Sequence, residues 1–286
     1  MAAHAQSTVR HVLVVGYDGM SPNGLQAAKA PVIGRARVQG SYSWHARGVM
    51  PTSSSPNWAS MIMGAGPEQH GITSNDWMPD KFDIAPTVKG PGGIFPTIFG
   101  ILREREPKSD IAIFHEWEGF ARLVEPGAAT RVDHPGKRDA DETVRRAVAY
   151  IAGHKPRLTF VHLDLIDHAG HKFGHGSPEY IAAIEKADTL TGLILAAVEK
   201  AGMTPYTLVV LTADHGGLGK KHGGATMAEI EIPWIIYGPG VAKGRELRSL
   251  INTYDTAATL AYVLRIEPPA AWIGKPVMEA FASGSR

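Results

Sequence analysis

The chain has 286 residues, with 29 Lys+Arg against 28 Asp+Glu, 13 His and no Cys. The lack of Cys excludes disulfides and thiolate metal centres, and a net charge of +1 with basic residues dispersed among acidic ones predicts neither a nucleic-acid nor an anionic-membrane footprint. At 44% apolar and 20% charged residues the composition is globular and suits one large domain or at most two, and no apolar run approaches the ~18 residues of a membrane-spanning helix.

Residues 1–10 are polar and Ala-rich, which predicts a flexible tail ahead of a single domain over 11–286. Ala3-His-Ala5 has the small-x-small spacing of a signal-peptidase site, so the chain fits a mature periplasmic or secreted protein; otherwise the tail belongs to a cytoplasmic one. Val12-Leu-Val-Val-Gly16 is a short β-branched run closed by Tyr17-Asp-Gly19, hence a buried strand ending in a turn. Asp110–Phe114, Leu158–Leu163, Thr207–Leu211 and Ile232–Tyr237 repeat that pattern. Between them, Thr97–Arg105, Asp139–Ala152, Pro178–Ala201 and Thr253–Leu264 show the i, i+3, i+4 apolar spacing of helices packed on a sheet. The alternation implies an α/β layered fold with a largely parallel sheet. Two stretches break the rhythm: Thr73–Pro96, rich in Pro and Gly, reads as a functional loop or small lid, and Gly216–Glu231 puts Gly and Lys where a helix is expected.

In open α/β sheets ligands bind beyond the carboxyl ends of the strands. Asp18 follows the first strand, Asp167 and His171 follow the 158–163 strand, and Asp214-His215 follow the 207–211 strand, with His222 in the glycine-rich loop downstream. Three carboxylates and three imidazoles without a thiolate form a donor set for two divalent first-row ions. Asp164 and His168 compete with the 167/171 pair, while His162 and His175 read as structural or rim residues. In Pro51-Thr-Ser-Ser-Ser-Pro-Asn-Trp58, Pro56 suits a first helical turn, so the serines stand at a helix N-terminus that favours an anion. Ser55 is expected to cap that helix, leaving a neighbour free for chemistry.

These segments resemble the alkaline phosphatase superfamily and, within it, the type I phosphodiesterase/nucleotide pyrophosphatase family. The match runs from Val12 to about Gly240. Pro51–Asn57 is similar to the family's Pro-Thr-x-(Thr/Ser)-x-Pro-Asn nucleophile motif, which assigns the nucleophile to Ser54, and Gly64–Ile72 looks like the segment that follows, ending at Asn75. The resemblance implies an alkaline phosphatase-like α/β/α sandwich and two divalent metals, Zn²⁺ expected and Mn²⁺ or Fe²⁺ compatible. It also implies that Asp18, Asp214 and His215 hold the ion at the nucleophile. Asp167 and His171 match the Asp-x-x-x-His motif, with His222 completing the second site, although the Lys-His-Gly-Gly form around His222 looks more like the phosphoethanolamine-transferase branch. Asn75 is expected to donate its amide to a phosphoryl oxygen.

A monoester carries an extra charge that usually recruits Arg, and the Ser54 segment has none, though Arg47 could fold in. That favours a phosphodiesterase with an open pocket and broad tolerance for the leaving group, acting on small phosphate esters and not on a nucleic acid polymer. The alternatives are a phosphomonoesterase or phosphotransferase on the same site, or a degenerate metal/phosphate-binding protein. A sulfatase needs Arg where this chain has Trp58. Trp58, Trp77 and Phe82 are candidates to stack on a base or aryl group, against ordinary packing. No sequence feature specifies an oligomeric state.

Overall fold

Strand β1, His11–Tyr17, has a parallel neighbour on each side and is buried on both faces, as its unbroken apolar run requires. The structure is a computed structural model that describes residues 9–282. In chain order β1 is followed by α1 (Pro22–Ala27), α2 (Pro31–Gln39), β2 (Gly40–Arg47), α3 (Ser54–Met63), α4 (Pro67–His70), α5 (Ile98–Arg105), β3 (Ile111–His115), β4 (Arg131–Asp133) and α6 (Ala140–His154). The second half holds β5 (Leu158–Leu163), α7 (Leu165–Phe173), α8 (Pro178–Lys200), β6 (Thr207–Ala213), α9 (Met227–Ile230), β7 (Glu231–Tyr237), β8 (Arg245–Glu246) and α10 (Asp255–Leu264).

The strands form one sheet in the order β4-β3-β5-β1-β6-β7-β2-β8, with β7 antiparallel to β6 and β2 and the other pairings parallel. Helix α8 packs against α1, α2, α6 and α7, while α3 packs against α4, α5 and α10, which completes an α/β/α sandwich. The helices expected at 97, 139 and 178 begin where local chemistry says they should. Thr97, Asp139 and Ser177 are their N-caps, each accepting a first-turn amide hydrogen bond through its side-chain oxygen.

Several elements differ from the sequence expectations. Strand β2 is present although its sequence alternates Ser with aromatics. Its buried Ser41 is satisfied by the carbonyls of Ala242 and Ala280, partners remote in sequence. Asp167 and His171 sit on helix α7, an element the sequence did not predict, and the 73–96 stretch contains only a Met78–Lys81 bridge and a 3-10 turn at Pro91–Gly93. Of the tail expected over 1–10, residues 1–8 lie outside the described residues. Val9 and Arg10 are held: Val9 is buried and the Arg10 amide donates to the Tyr206 carbonyl at 2.9 Å.

Strands β5 and β6 flank β1, so Asp18, the start of α7 and Asp214 emerge side by side at the carboxyl end of the sheet.

Candidate metal centre and nucleophile

Asn57 shapes the segment that carries the serines. Its Oδ1 accepts from the Val49 amide at 2.6 Å, and its Nδ2 faces the carbonyls of Val49, Pro51 and Ser53 at 2.9–3.2 Å. The chain is thereby folded back so that α3 starts at Ser54. Ser53 occupies the N-cap position and makes no side-chain cap bond. The expected cap at Ser55 is absent: its hydroxyl is buried without a partner, and its amide donates instead to Asn75 Oδ1 at 2.8 Å. Helix geometry explains the shift, because with Ser54 as the first helical residue Ser55 lies inside the first turn, where a side chain points away from the free amides.

Ser54 Oγ lies 3.5 Å from Asp18 Oδ1 and 3.3 Å from His215 Nε2. His215 Nε2 is 3.5 Å from Asp18 Oδ1 and 3.2 Å from Asp214 Oδ2, an oxygen that has no hydrogen-bond partner. The other oxygen of Asp214 accepts from the Gly19 amide at 3.1 Å. Beside this group, His171 Nε2 stands 3.1 Å from Asp167 Oδ2 and 3.1 Å from His222 Nε2, which is 3.7 Å from Asp167 Oδ1. The rings of His215 and His222 stack at 3.9 Å and join the two groups. Asp167 reaches both: its oxygens cluster with His171 and His222 and also with Asp18 and His215.

The histidine tautomers are dictated by the backbone. Nδ1 of His215, His171 and His222 donates to the carbonyls of Gly216, Lys220 and Thr52 at 2.8–2.9 Å. In the neutral ring each Nε2 is then a bare lone pair. Three lone pairs and the buried oxygens of three carboxylates thus converge on one another, an arrangement that repels itself until cations enter it. The charges register the strain. Burial and the neighbouring Asp18 push the Asp214 carboxyl well above the usual carboxylate range. Burial also acts to raise Asp18, but hydrogen bonding from His162 and the proximity of His215 carry it well below that range. The hydrogen bond to Asp167 raises His171 to about 9, whereas burial lowers His222. Oxygen and imidazole donors with pinned Nδ1–H groups fit first-row divalent ions.

The sequence profile of the family described as type I phosphodiesterase / nucleotide pyrophosphatase matches residues 12–92 and 103–221. The chain belongs to the type I phosphodiesterase/nucleotide pyrophosphatase family. It is 24% identical over 226 residues to ectonucleotide pyrophosphatase/phosphodiesterase family member 1 of Mus musculus, an alignment covering 73% of this chain and 24% of that relative. The match therefore spans about a quarter of the relative's length. Murine ectonucleotide pyrophosphatase / phosphodiesterase 5 has the same fold, with a TM-score of 0.79 at 16% identity over 96% of this chain and 100% of that one. A mutant of the alkaline phosphatase PafA gives 0.77 at 13% identity over 98% and 100%. The fold is alkaline phosphatase-like.

Within this family member, some expected ligand-facing residues are not at the surface. Trp58 is fully buried, with its Nε1–H donating to Asp18 Oδ2 at 2.9 Å and its ring edge-on to Phe120 and Phe160, so it holds a carboxylate and cannot stack on a substrate. Trp77 is 6% exposed and belongs to the core, which removes it from substrate contact as well. Phe82 packs partly against the core beneath Lys89. Arg47 is exposed at the end of β2 and its side chain makes no contact with the carboxylate cluster. Asp164 pairs with Arg138 at 2.9 Å, and His168 is exposed, so neither enters the cluster.

Three further residues shape the site. His162, taken as structural, is buried with Nε2 3.2 Å from Asp18 Oδ2, and its signal was a histidine interrupting an apolar strand. Thr52 binds the His222 loop three times, through its carbonyl to His222 and through Oγ1 to Gly223 and Gly224. Arg122 donates to the Asn75 carbonyl at 2.8 Å and lies over Trp117, fixing the turn that carries Asn75. Thr52 is marked in the sequence only as the Thr of the Pro51–Asn57 motif, and no sequence signal marks Arg122, whose bond to Asn75 spans 47 residues.

Proposed function

We propose that the chain is a metal-dependent phosphodiesterase that works through a phospho-Ser54 intermediate. One observation carries the reading: pinned Nδ1–H groups leave three imidazole lone pairs facing unpaired carboxylate oxygens, with a serine hydroxyl between them at the start of α3. Asp18, Asp214 and His215 would hold one divalent ion and Asp167, His171 and His222 the other, with Zn²⁺ the expected metal for this oxygen and nitrogen set. When bound, such ions lower the pKa of a serine hydroxyl and neutralise the charge of the phosphoryl group.

The chain's own residues supply the rest. Ser54 presents Oγ at the N-terminus of α3, where the helix dipole favours the phosphoryl anion, although the Ser55 amide is taken by Asn75 and Pro56 has no N–H. The Oγ–P bond forms as the bond to the leaving oxygen breaks, and that oxygen leaves as an alcohol after taking a proton. Asn75 accepts the Ser55 amide with Oδ1, so its Nδ2 is the group free to donate to a phosphoryl oxygen. Water then attacks phosphorus, releasing the monoester and restoring the Ser54 hydroxyl.

Diester selectivity follows from the arginines. Arg122 is occupied by the Asn75 carbonyl and Trp117, and Arg47 is exposed at the end of β2, so neither of these two guanidiniums is seated to meet a dianionic phosphoryl group. The solved murine neighbour, an inactive form in complex with AMP, supports a nucleotide-sized ester as a substrate. The ecto- prefix of the relatives supports an exported protein, and no helix among the described residues is long and apolar enough to cross a membrane.

The test compares an aryl phosphodiester with the matching phosphomonoester, with and without chelator, alongside metal content. Chelator-sensitive turnover faster on the diester, with about two ions per chain, is expected. Faster monoester turnover overturns the subclass, and metal-free activity overturns the mechanism.

A further inference from the structure

His175 lies between α7 and α8, outside both groups of converging donors. Its side chain is 3% exposed, and neither ring nitrogen has a hydrogen-bond partner. The fold keeps a slot open for this ring. A Cβ on Gly217 would come within 2.3 Å of it and one on Gly170 within 2.6 Å, while Tyr180 closes a third side at 5.1 Å between centroids. The His175 amide is tied to the Gly219 carbonyl at 2.7 Å, which anchors the residue to the loop that carries His222.

The slot aims the ring at one atom. His175 Nε2 is 3.8 Å from Asp167 Oδ1, which is itself buried and unpartnered, and His171 faces the other oxygen of the same carboxylate. Burying two unsatisfied polar groups against each other costs free energy unless they pair in the working state. His175 also differs from the three pinned histidines, since no carbonyl takes its Nδ1–H. It can therefore carry its proton on Nε2, which suits a donor and not a metal ligand.

Resting on the two-ion reading above, we propose that His175 is a positioning residue: it donates Nε2–H to Asp167 Oδ1 and fixes the carboxylate that, with His171 and His222, forms the second ion site. A small rotation of the Asp167 carboxylate closes the gap. Partners of this kind set ligand orientation and typically change metal affinity by about 10–100-fold.

The experiment uses the full chain and the variants His175→Phe, which fills the slot without a donor, and His175→Gln, which restores one. Metal affinity is read by competition with a chromophoric chelator for Zn²⁺, and the melting temperature of the metal-free protein is measured in parallel. His175→Phe should keep the metal-free melting temperature and bind the weaker of the two ions about 10–100-fold less tightly, and His175→Gln should recover most of that loss. Equal affinities in parent and His175→Phe, or equal losses in both variants, overturn the proposal and leave the two-ion reading standing. A parent that binds no Zn²⁺ overturns both. Should His175→Phe not fold, ¹⁵N-histidine spectra of the Zn²⁺-loaded parent decide: a proton on Nε2 of His175 is expected, and one on Nδ1 refutes the assignment.

Discussion

The two halves of the donor cluster are built differently. Asp18, Asp214, His215 and Ser54 are no more than 6% exposed and come from the rigid ends of β1 and β6 and the first turn of α3. Asp167, His171 and His222 come from α7 and a glycine-rich loop, and the His171 side chain is 47% exposed. The inner half is braced by Trp58 and His162 on Asp18 and by the Gly19 amide on Asp214. Backbone carbonyls from loops and from Thr52 brace the outer half. Strand ends fix a nucleophile's surroundings; loops let an ion and a leaving group exchange. The inner ion should therefore be held more tightly than the outer one.

The largest effect should come from the inner half. Ser54→Ala is expected to lower diester turnover by ~10⁴-fold or more while metal content stays at the parent's value, measured by single-turnover kinetics and elemental analysis. Activity above a tenth of the parent's would take the nucleophile's role from Ser54. Next, Asp214→Asn and His222→Asn separate the halves directly. Dialysis against a chelator should strip both ions and all activity from Asp214→Asn, whereas His222→Asn should keep about one ion per chain, since the inner donors survive. Equal metal loss in the two variants would erase the distinction. Asn75→Ala should cost about 10²–10³ in kcat with both ions retained, the usual price of one donor to a developing oxyanion; a change confined to metal content would show that Asn75 serves the ions and not the phosphoryl group.

The placement of the inner candidate donors was legible in the sequence because they stand next to unbroken apolar strands. Val12–Val15 and Leu208–Leu211 could only be buried strands, so Asp18 and Asp214 had to emerge at their ends. Strand β2 was illegible because its buried Ser41 is satisfied by residues some two hundred positions away. Helix α7 is not among the helices the sequence predicts: Asp167 and His171 read only as a motif after the 158–163 strand, and the structure places them i, i+4 on one helical face. Trp58 stayed open between stacking and packing because its partner, Asp18, is 40 residues away, and only the fold shows that its indole N–H is committed.

The smallest expected effect sharpens the comparison by removing an acid response that neither half causes. His70 is buried, accepting the Ile72 amide through Nδ1 and meeting Ser60 Oγ through Nε2. Burial lowers its pKa to about 3. The unfolded chain takes up a proton at the ordinary histidine value near 6.5 while the folded one stays neutral, so His70's contribution is intact above about 6.5 and is lost as pH falls towards 3, at up to about 1.4 kcal/mol per pH unit. Acid also protonates the donor cluster, so the melting curve of the parent mixes the two causes. His70→Asn keeps an acceptor for the Ile72 amide and removes the titration. Its melting temperature should fall less steeply than the parent's between pH 6 and 4, and the slope that remains belongs to the cluster together with other buried histidines such as His115, which burial lowers to about 4. An unchanged slope would assign the acid response to those groups and remove His70 as a cause.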